Sequence, residues 1–273
     1  MSQTHVMNNQ HSNHIELGTK DGGQRPLHWW QTTLAFGIPS LVMVISIHGV
    51  IPLLQRIGLT PFESMVVSYS VPMALMLTAA LVIYHEVDGY PLTWPAFSQH
   101  FRYPRITLKA ILQGLGLFAA IMVGYGLLNG LATMVTQGWM PIPNYLPALL
   151  DPRVALTTAV LDNMVGGHIS GNWSVVILYF IMFFFNIVGE ELWWRGYLLP
   201  RQEATYGRYA WVWHGLLWTA FHVHKWWDLI GLLAVCLPIA YVSQRTKNNW
   251  PAFIAHALFN VLGWLLMIVA VMS

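Results

Sequence analysis

Three short stretches of this chain set chemically able side chains inside apolar sequence. GEELWWRGYLLPR (189–201) carries Glu190, Glu191 and Arg195 directly after the run VVILYFIMFFFNI. GLLWTAFHVH (215–224) carries His222 and His224, and FIAHALFNVLGW (253–264) carries His256 and Asn260. Glu191 and Arg195 are four residues apart, so on a helix they share a face and can pair. Glu190 is turned about 100° from Glu191 and has no basic neighbour on its own face. His256 and Asn260 are also one turn apart and can act on one group together. A carboxylate held out of water can serve as a general base on a water molecule. Donors aimed at a developing oxyanion would supply the rest of a hydrolytic reaction. Two Glu and two His could equally be read by ligand type as a divalent metal site, zinc for example. Against that, Glu191 is expected to be occupied by Arg195.

The depth of these groups depends on the helices that hold them. ATYGRYA (204–210) interrupts the helical pattern at Gly207 and reads as a turn. Glu190 lies sixteen residues before Tyr206 and His222 sixteen after it, so a helical hairpin returns them to one level. Glu190 to Arg201 and Arg245 to His256 each span eleven residues, about 16 Å of helix. All three stretches therefore place their polar groups at a similar depth. Ionisable side chains within a membrane are expensive and usually functional.

Composition fixes the setting. Of 273 residues, 56% are hydrophobic and only 9% charged, against about 25% charged in a typical soluble domain. We read an all-α, polytopic transmembrane bundle of seven to eight helices, embedded in a lipid bilayer. Seven candidate spans cover roughly 31–54, 65–84, 106–135, 173–188 and beyond, 210–223, 227–242 and 251–272. The region 136–172 is a candidate for an eighth helix lying in the interface. Residues 1–28 are polar and read as a disordered cytoplasmic tail, leaving 29–273 as one membrane domain with its motif region at about 173–265. With the tail inside, ten of the thirteen Lys and Arg residues fall on the cytoplasmic side, as the positive-inside rule requires.

Other features carry less. The net charge of +2 comes with no basic run, so nothing points to nucleic acid. Cys236, the sole cysteine, sits in apolar sequence and reads as packing. HEVDG, with His85 and Glu86, lacks the second His of a zinc-protease helix. His48 reads as a satisfied hydrogen-bonder, His168 and His214 as loop or interface residues, and His224 as a boundary residue beside Lys225. His5, His11 and His14 are too irregularly spaced for a metal site. Gly126 and Gly130 form a small-xxx-small pattern expected to mark close helix packing.

The three motifs, in this order, resemble the CAAX prenyl protease type 2 and bacteriocin-processing (CPBP) family, which includes abortive-infection proteins. GEELWWR is similar to its EExxxR signature. WTAFH, with Trp218 where Phe is common, is similar to its second motif, and HALFN to its closing HxxxN/D. The resemblance implies an intramembrane glutamate endopeptidase with no cofactor, acting on a peptide or protein that is lipidated or otherwise membrane-bound. It implies Glu190 as general base, His222 holding the water, and His256 with Asn260 facing the oxyanion. Glu191, Arg195 and Trp218 support the site. The alternative is a catalytically inactive immunity or scaffolding protein on the same fold. A proton-coupled transporter would predict inverted repeats, and none is visible.

Overall fold

The computed structural model describes residues 26–136 and 142–273; the polar tail read over 1–28 lies almost wholly outside these. Helices account for the architecture, and no strand occurs among the described residues. In chain order, the helices are α1 (Trp29–Arg56), α2 (Pro61–Val87), α3 (Trp94–His100), α4 (Leu108–Thr136), α5 (Thr158–Val165), α6 (Trp173–Glu190), α7 (Leu199–Tyr206), α8 (Ala210–Phe221), α9 (Leu229–Thr246) and α10 (Trp250–Met272). Five stretches are long and apolar enough to cross a membrane, and one of them runs 74 residues from Trp173 to Thr246. As one straight helix it would be about 110 Å long, far beyond the roughly 30 Å of a bilayer core. It folds back twice, at Gly207 (φ +56°) and through the tight turns of His222–Asp228.

Local chemistry sets the ends. Thr60 and Glu63 cap α2 reciprocally, at 3.1 Å and 2.9 Å, which satisfies two donors that a helix start leaves open. Gly166 (φ +73°) ends α5. At eight residues, α5 is too short to cross a membrane; with the turn at Ala148–Leu150 it is the helix content found in 136–172, of which 137–141 are not described. The expected packing role of Gly126 and Gly130 is not met, since neither has an atom near where a Cβ would stand. Close approach occurs elsewhere. A Cβ on Gly189 would stand 2.5 Å from the Met73 carbonyl, and one on Gly215 would stand 2.9 Å from Leu237 Cα. These glycines let α2 meet α6 and α9 meet α8 at the level of the motifs.

Trp194 and Trp218 are the largest fully buried side chains. Phe36 of α1 stacks on Trp194 at 4.5 Å, and Phe221 meets it edge-on at 5.0 Å. Outward-facing Leu75, Leu127, Ile177 and Val269 are more than half exposed, an apolar surface suited to hydrocarbon.

The helix ends gather on two opposite faces. On one, Arg102 pairs bidentately with Glu203 (2.7 and 2.9 Å), Lys247 joins Glu203, and Arg201 meets Asp88 at 2.5 Å. Asn249 binds the Phe101 carbonyl there, and Thr205 reaches the Leu27 carbonyl. On the other, Tyr125 donates to Asp228 at 2.7 Å and His48 links Tyr145 to the His224 carbonyl.

Candidate active site

The chain departs from α-helical winding at the motif itself. Glu190 ends α6, and Glu191–Leu198 continues with wider, π-helical turns before α7. Such local widening is frequent at functional sites. Here it accompanies an opposite fate for two adjacent carboxylates.

Glu191 faces Arg195. The two form a fully buried ion pair that includes a 2.9 Å bond from Nε to Oε2. The guanidinium also lies 3.8 Å over the Trp218 ring, a favourable cation–π contact. His256 joins this pair: its Nδ1 is 2.8 Å from Glu191 Oε1 and 3.2 Å from Arg195 Nη2. The tautomer decides what the other nitrogen can do. With Nδ1 accepting from Arg195, Nε2 carries the proton and is a donor. With Nδ1–H donating to Glu191, Nε2 is an acceptor.

Among the described residues Glu190 makes no ion pair, as its position on the helix predicts, yet it is not unheld. Its Oε2 accepts from the indole Nε1 of Trp194 at 3.0 Å and of Trp218 at 2.7 Å, and the residue is 2% exposed. Two neutral donors fix the carboxylate without cancelling its charge. Trp194 was not among the expected site residues. The signal was available, because Trp194 follows Glu190 by four residues, the spacing that pairs Glu191 with Arg195.

His222 donates from Nδ1 to the Trp218 carbonyl at 2.8 Å, which leaves Nε2 free. The rings of His222 and His256 lie 5.9 and 5.3 Å from that of Trp218, so the tryptophan gathers Glu190, both histidines and Arg195 around one side chain. Asn260 is half-buried, and its amide turns back onto the His256 carbonyl at 3.1 Å.

A cavity of about 160 Å³ brings Glu190, Trp218, His222, His256 and Asn260 together. Glu191 and Arg195 stay outside it, behind Trp218. Asn186, one turn before Glu190, and Tyr69 of α2 also line it. Two expectations are corrected. His224, read as a boundary residue, is 1% exposed and lines the cavity; the tight turns after Phe221 bring its ring to 5.7 Å from His222. His214, read as a loop or interface residue, is fully buried and bonded to Gln202 at 2.6 Å. His48 is the satisfied hydrogen-bonder expected, and His168 is exposed. Cys236 is buried at the cavity wall.

Over the cavity, Leu149 and Leu150 come from the segment after α4. Asp151 fixes that segment by accepting from Arg153 Nη2 at 2.7 Å, Nε at 2.8 Å and the backbone N at 3.0 Å. Those Arg153 bonds hold the Asp151 carboxyl below the usual carboxylate range. Among the described residues, no three His, Cys, Asp or Glu side chains converge as a metal site would require.

A buried carboxylate, three histidines and an asparagine around one cavity, inside an apolar helix bundle, define a membrane protein with an internal polar site. Residues 172–262 match the family described as type II CAAX prenyl endopeptidase, Rce1-like. This segment is a third of the chain's length and carries all three motifs, and through it the chain is similar to that family. No curated protein and no solved structure matches it.

Proposed function

We propose that the protein is an intramembrane endopeptidase that hydrolyses a peptide bond with a water activated by Glu190. The observation that carries this reading is the contrast between the two carboxylates. Glu191 is neutralised by Arg195, whereas Glu190 faces the cavity and is held, among the described residues, by two indole N–H groups. In this reading a water donates one hydrogen bond to Glu190 and one to His222 Nε2. Glu190 takes the proton as the oxygen attacks the carbonyl carbon, and returns it to the leaving amine. His256, in the tautomer whose Nδ1 accepts from Arg195, donates from Nε2 to the oxyanion. Asn260 joins it by rotating off the His256 carbonyl. Glu191 and Arg195 act behind Trp218, orienting His256.

The reading has no metal step. The competing one, in which a divalent ion such as zinc binds His222 and His256, predicts loss of activity on chelation and recovery with zinc. The inactive-scaffold reading predicts no turnover at all. Purified protein in detergent or nanodiscs, offered membrane-anchored peptides with and without a strong chelator, separates the three. Cleavage that persists in chelator and disappears in Glu190→Gln supports the glutamate reading. Chelator sensitivity reversed by zinc, or full turnover by Glu190→Gln, overturns it.

We further read the N-terminus as cytoplasmic. The face that holds Arg102, Arg201 and Lys247 carries seven basic and three acidic residues among those described; the opposite face carries three basic and four acidic. The positive-inside rule places the first face in the cytoplasm.

A further inference from the structure

The cavity runs from Glu190 in one direction only. On α6 it is lined by Glu190, Asn186, Met182 and Tyr179, in the direction of Trp173, and by nothing beyond Glu190 toward Arg201. On α8 and the turns after it, the lining begins at Trp218 and ends at Lys225, away from Arg208. On α9 it is the half next to Asp228 that contributes, through Leu232, Val235 and Cys236. On α2 it is the half that follows Pro61, through Met65, Tyr69 and Met73. Three helices running one way and α8 running the other thus agree, and Leu149 and Leu150 lie at the same end. That end is the face of Arg153, Lys225 and Asp228, the one poor in basic residues.

Between Glu190 and the basic face the described side chains are closely packed. Trp194, Leu198 and Phe101 are fully buried there, and the ring of Phe101 is packed against Gly196. An apolar hollow of about 480 Å³ between α1 and α2 on that side stops at Trp193 and Leu198, and a recess of about 130 Å³ between α3 and α10 reaches Glu191. The recess is lined otherwise by apolar and aromatic residues and includes neither Glu190 nor a histidine.

We infer that the site is entered from the non-cytoplasmic face. Its substrate is then a peptide segment already on that side of the membrane, such as the exported part of a membrane-anchored precursor. Among the described residues, neither hollow on the basic side is lined by Glu190. The mouth suits such a segment, because Met65, Leu149 and Leu150 offer apolar contact. The inference rests on the cytoplasmic assignment of the basic face and on Glu190 as the reacting group, and its test does not require turnover.

The chain's one cysteine, Cys236, lines the cavity, so thiol labelling is run in a Cys236→Ala background, which gives the blank. His168→Cys marks the face of the cavity mouth, Arg208→Cys the basic face, and Asn186→Cys the cavity one turn from Glu190. A small, permanently charged methanethiosulfonate reagent is applied to intact spheroplasts and to inside-out vesicles holding the full chain. We expect His168→Cys and Asn186→Cys to label in spheroplasts and Arg208→Cys only in inside-out vesicles. If Asn186→Cys proves unstable by thermal melting, Leu149→Cys at the mouth replaces it. Labelling of the cavity cysteine together with Arg208→Cys overturns the direction of opening. Labelling of His168→Cys only in inside-out vesicles overturns the orientation. Protection of the cavity cysteine from both sides overturns access altogether. Should Glu190→Gln retain turnover while labelling follows the expected pattern, the base assignment fails and the direction of access stands.

Discussion

The bundle divides between two neighbouring residues. On the side of Glu191, ionic groups pair and packing is tight: Glu191 with Arg195 one turn on and with His256 of α10, Arg102 and Lys247 with Glu203, Arg201 with Asp88. On the side of Glu190, the polar side chains bind mainly their own backbone and keep their other ends free. His222 holds the Trp218 carbonyl, His224 the Phe221 carbonyl at 3.3 Å and Asn260 the His256 carbonyl. The same residue types therefore serve structure in one half and stand available for chemistry in the other. What separates them is the partner: a neutral indole leaves a carboxylate its charge, whereas a guanidinium takes it up.

That contrast predicts opposite phenotypes for adjacent substitutions. Glu190→Gln keeps the shape and an acceptor for the indoles but cannot take the water's proton. Turnover should fall by about 10²–10⁴, with melting in detergent close to the parent. A mutant that melts far lower would make Glu190 a structural residue like its neighbour. Glu191→Ala should do the reverse. It strands the Arg195 charge in a fully buried place, at a cost of about 3–5 kcal/mol, and releases His256. Thermal melting that is unchanged by Glu191→Ala would dissolve the distinction between the two halves.

Much of this was legible before any coordinates. Motif order, the i, i+4 pairing of Glu191 with Arg195, the turn at Gly207 and the common depth of Glu190, His222 and His256 follow from helical spacing. What spacing misses is partners brought by other helices and by departures from regular winding. His224 looks misplaced on an α-helix, yet the tight turns after Phe221 carry it into the cavity. Trp194 was hidden by its type, since an indole in apolar sequence reads as packing until its N–H finds a carboxylate. Gly126 and Gly130 show the opposite error: the pattern is right, but among the described residues no other helix comes within 4 Å of where their Cβ atoms would stand.

The indole donors offer a finer test of what holds Glu190. Trp218→Phe removes the shorter of its two hydrogen bonds and weakens the surface on which Arg195 lies. A hydrogen bond to a charged group contributes about 1.5–3 kcal/mol, so the loss should be smaller than that of Glu191→Ala and should touch both halves at once. We expect a lower melting temperature together with a roughly ten- to hundredfold loss of turnover, on the same energy scale. Trp194→Phe, which leaves Trp218 and the Arg195 contact in place, should cost less than Trp218→Phe. The opposite order would mean that Trp194, not Trp218, carries the carboxylate.

The smallest effect belongs to a residue of the basic face that takes no part in its ion pairs. His100 ends α3, outside the spans, with both ring nitrogens unpartnered and its ring against Tyr84 (5.0 Å), Tyr90 (4.6 Å) and Phe101 (4.8 Å). Burial, reinforced by the Arg201 guanidinium and opposed by Asp88, pushes its pKa down to about 4. An unfolded histidine titrates near 6.5. Between those values the unfolded chain takes up a proton that the folded one refuses, so this contribution to stability is complete above about pH 6.5 and is lost as pH falls toward 4. His100→Phe keeps an aromatic ring among the others and removes the titration. Its melting temperature should match or exceed that of the parent at pH 7 and decline less between pH 6.5 and 5. Parallel melting curves for the two proteins across that interval would mean that His100 accepts its proton in place, and that the basic face is more open to water around α3 than its packing implies.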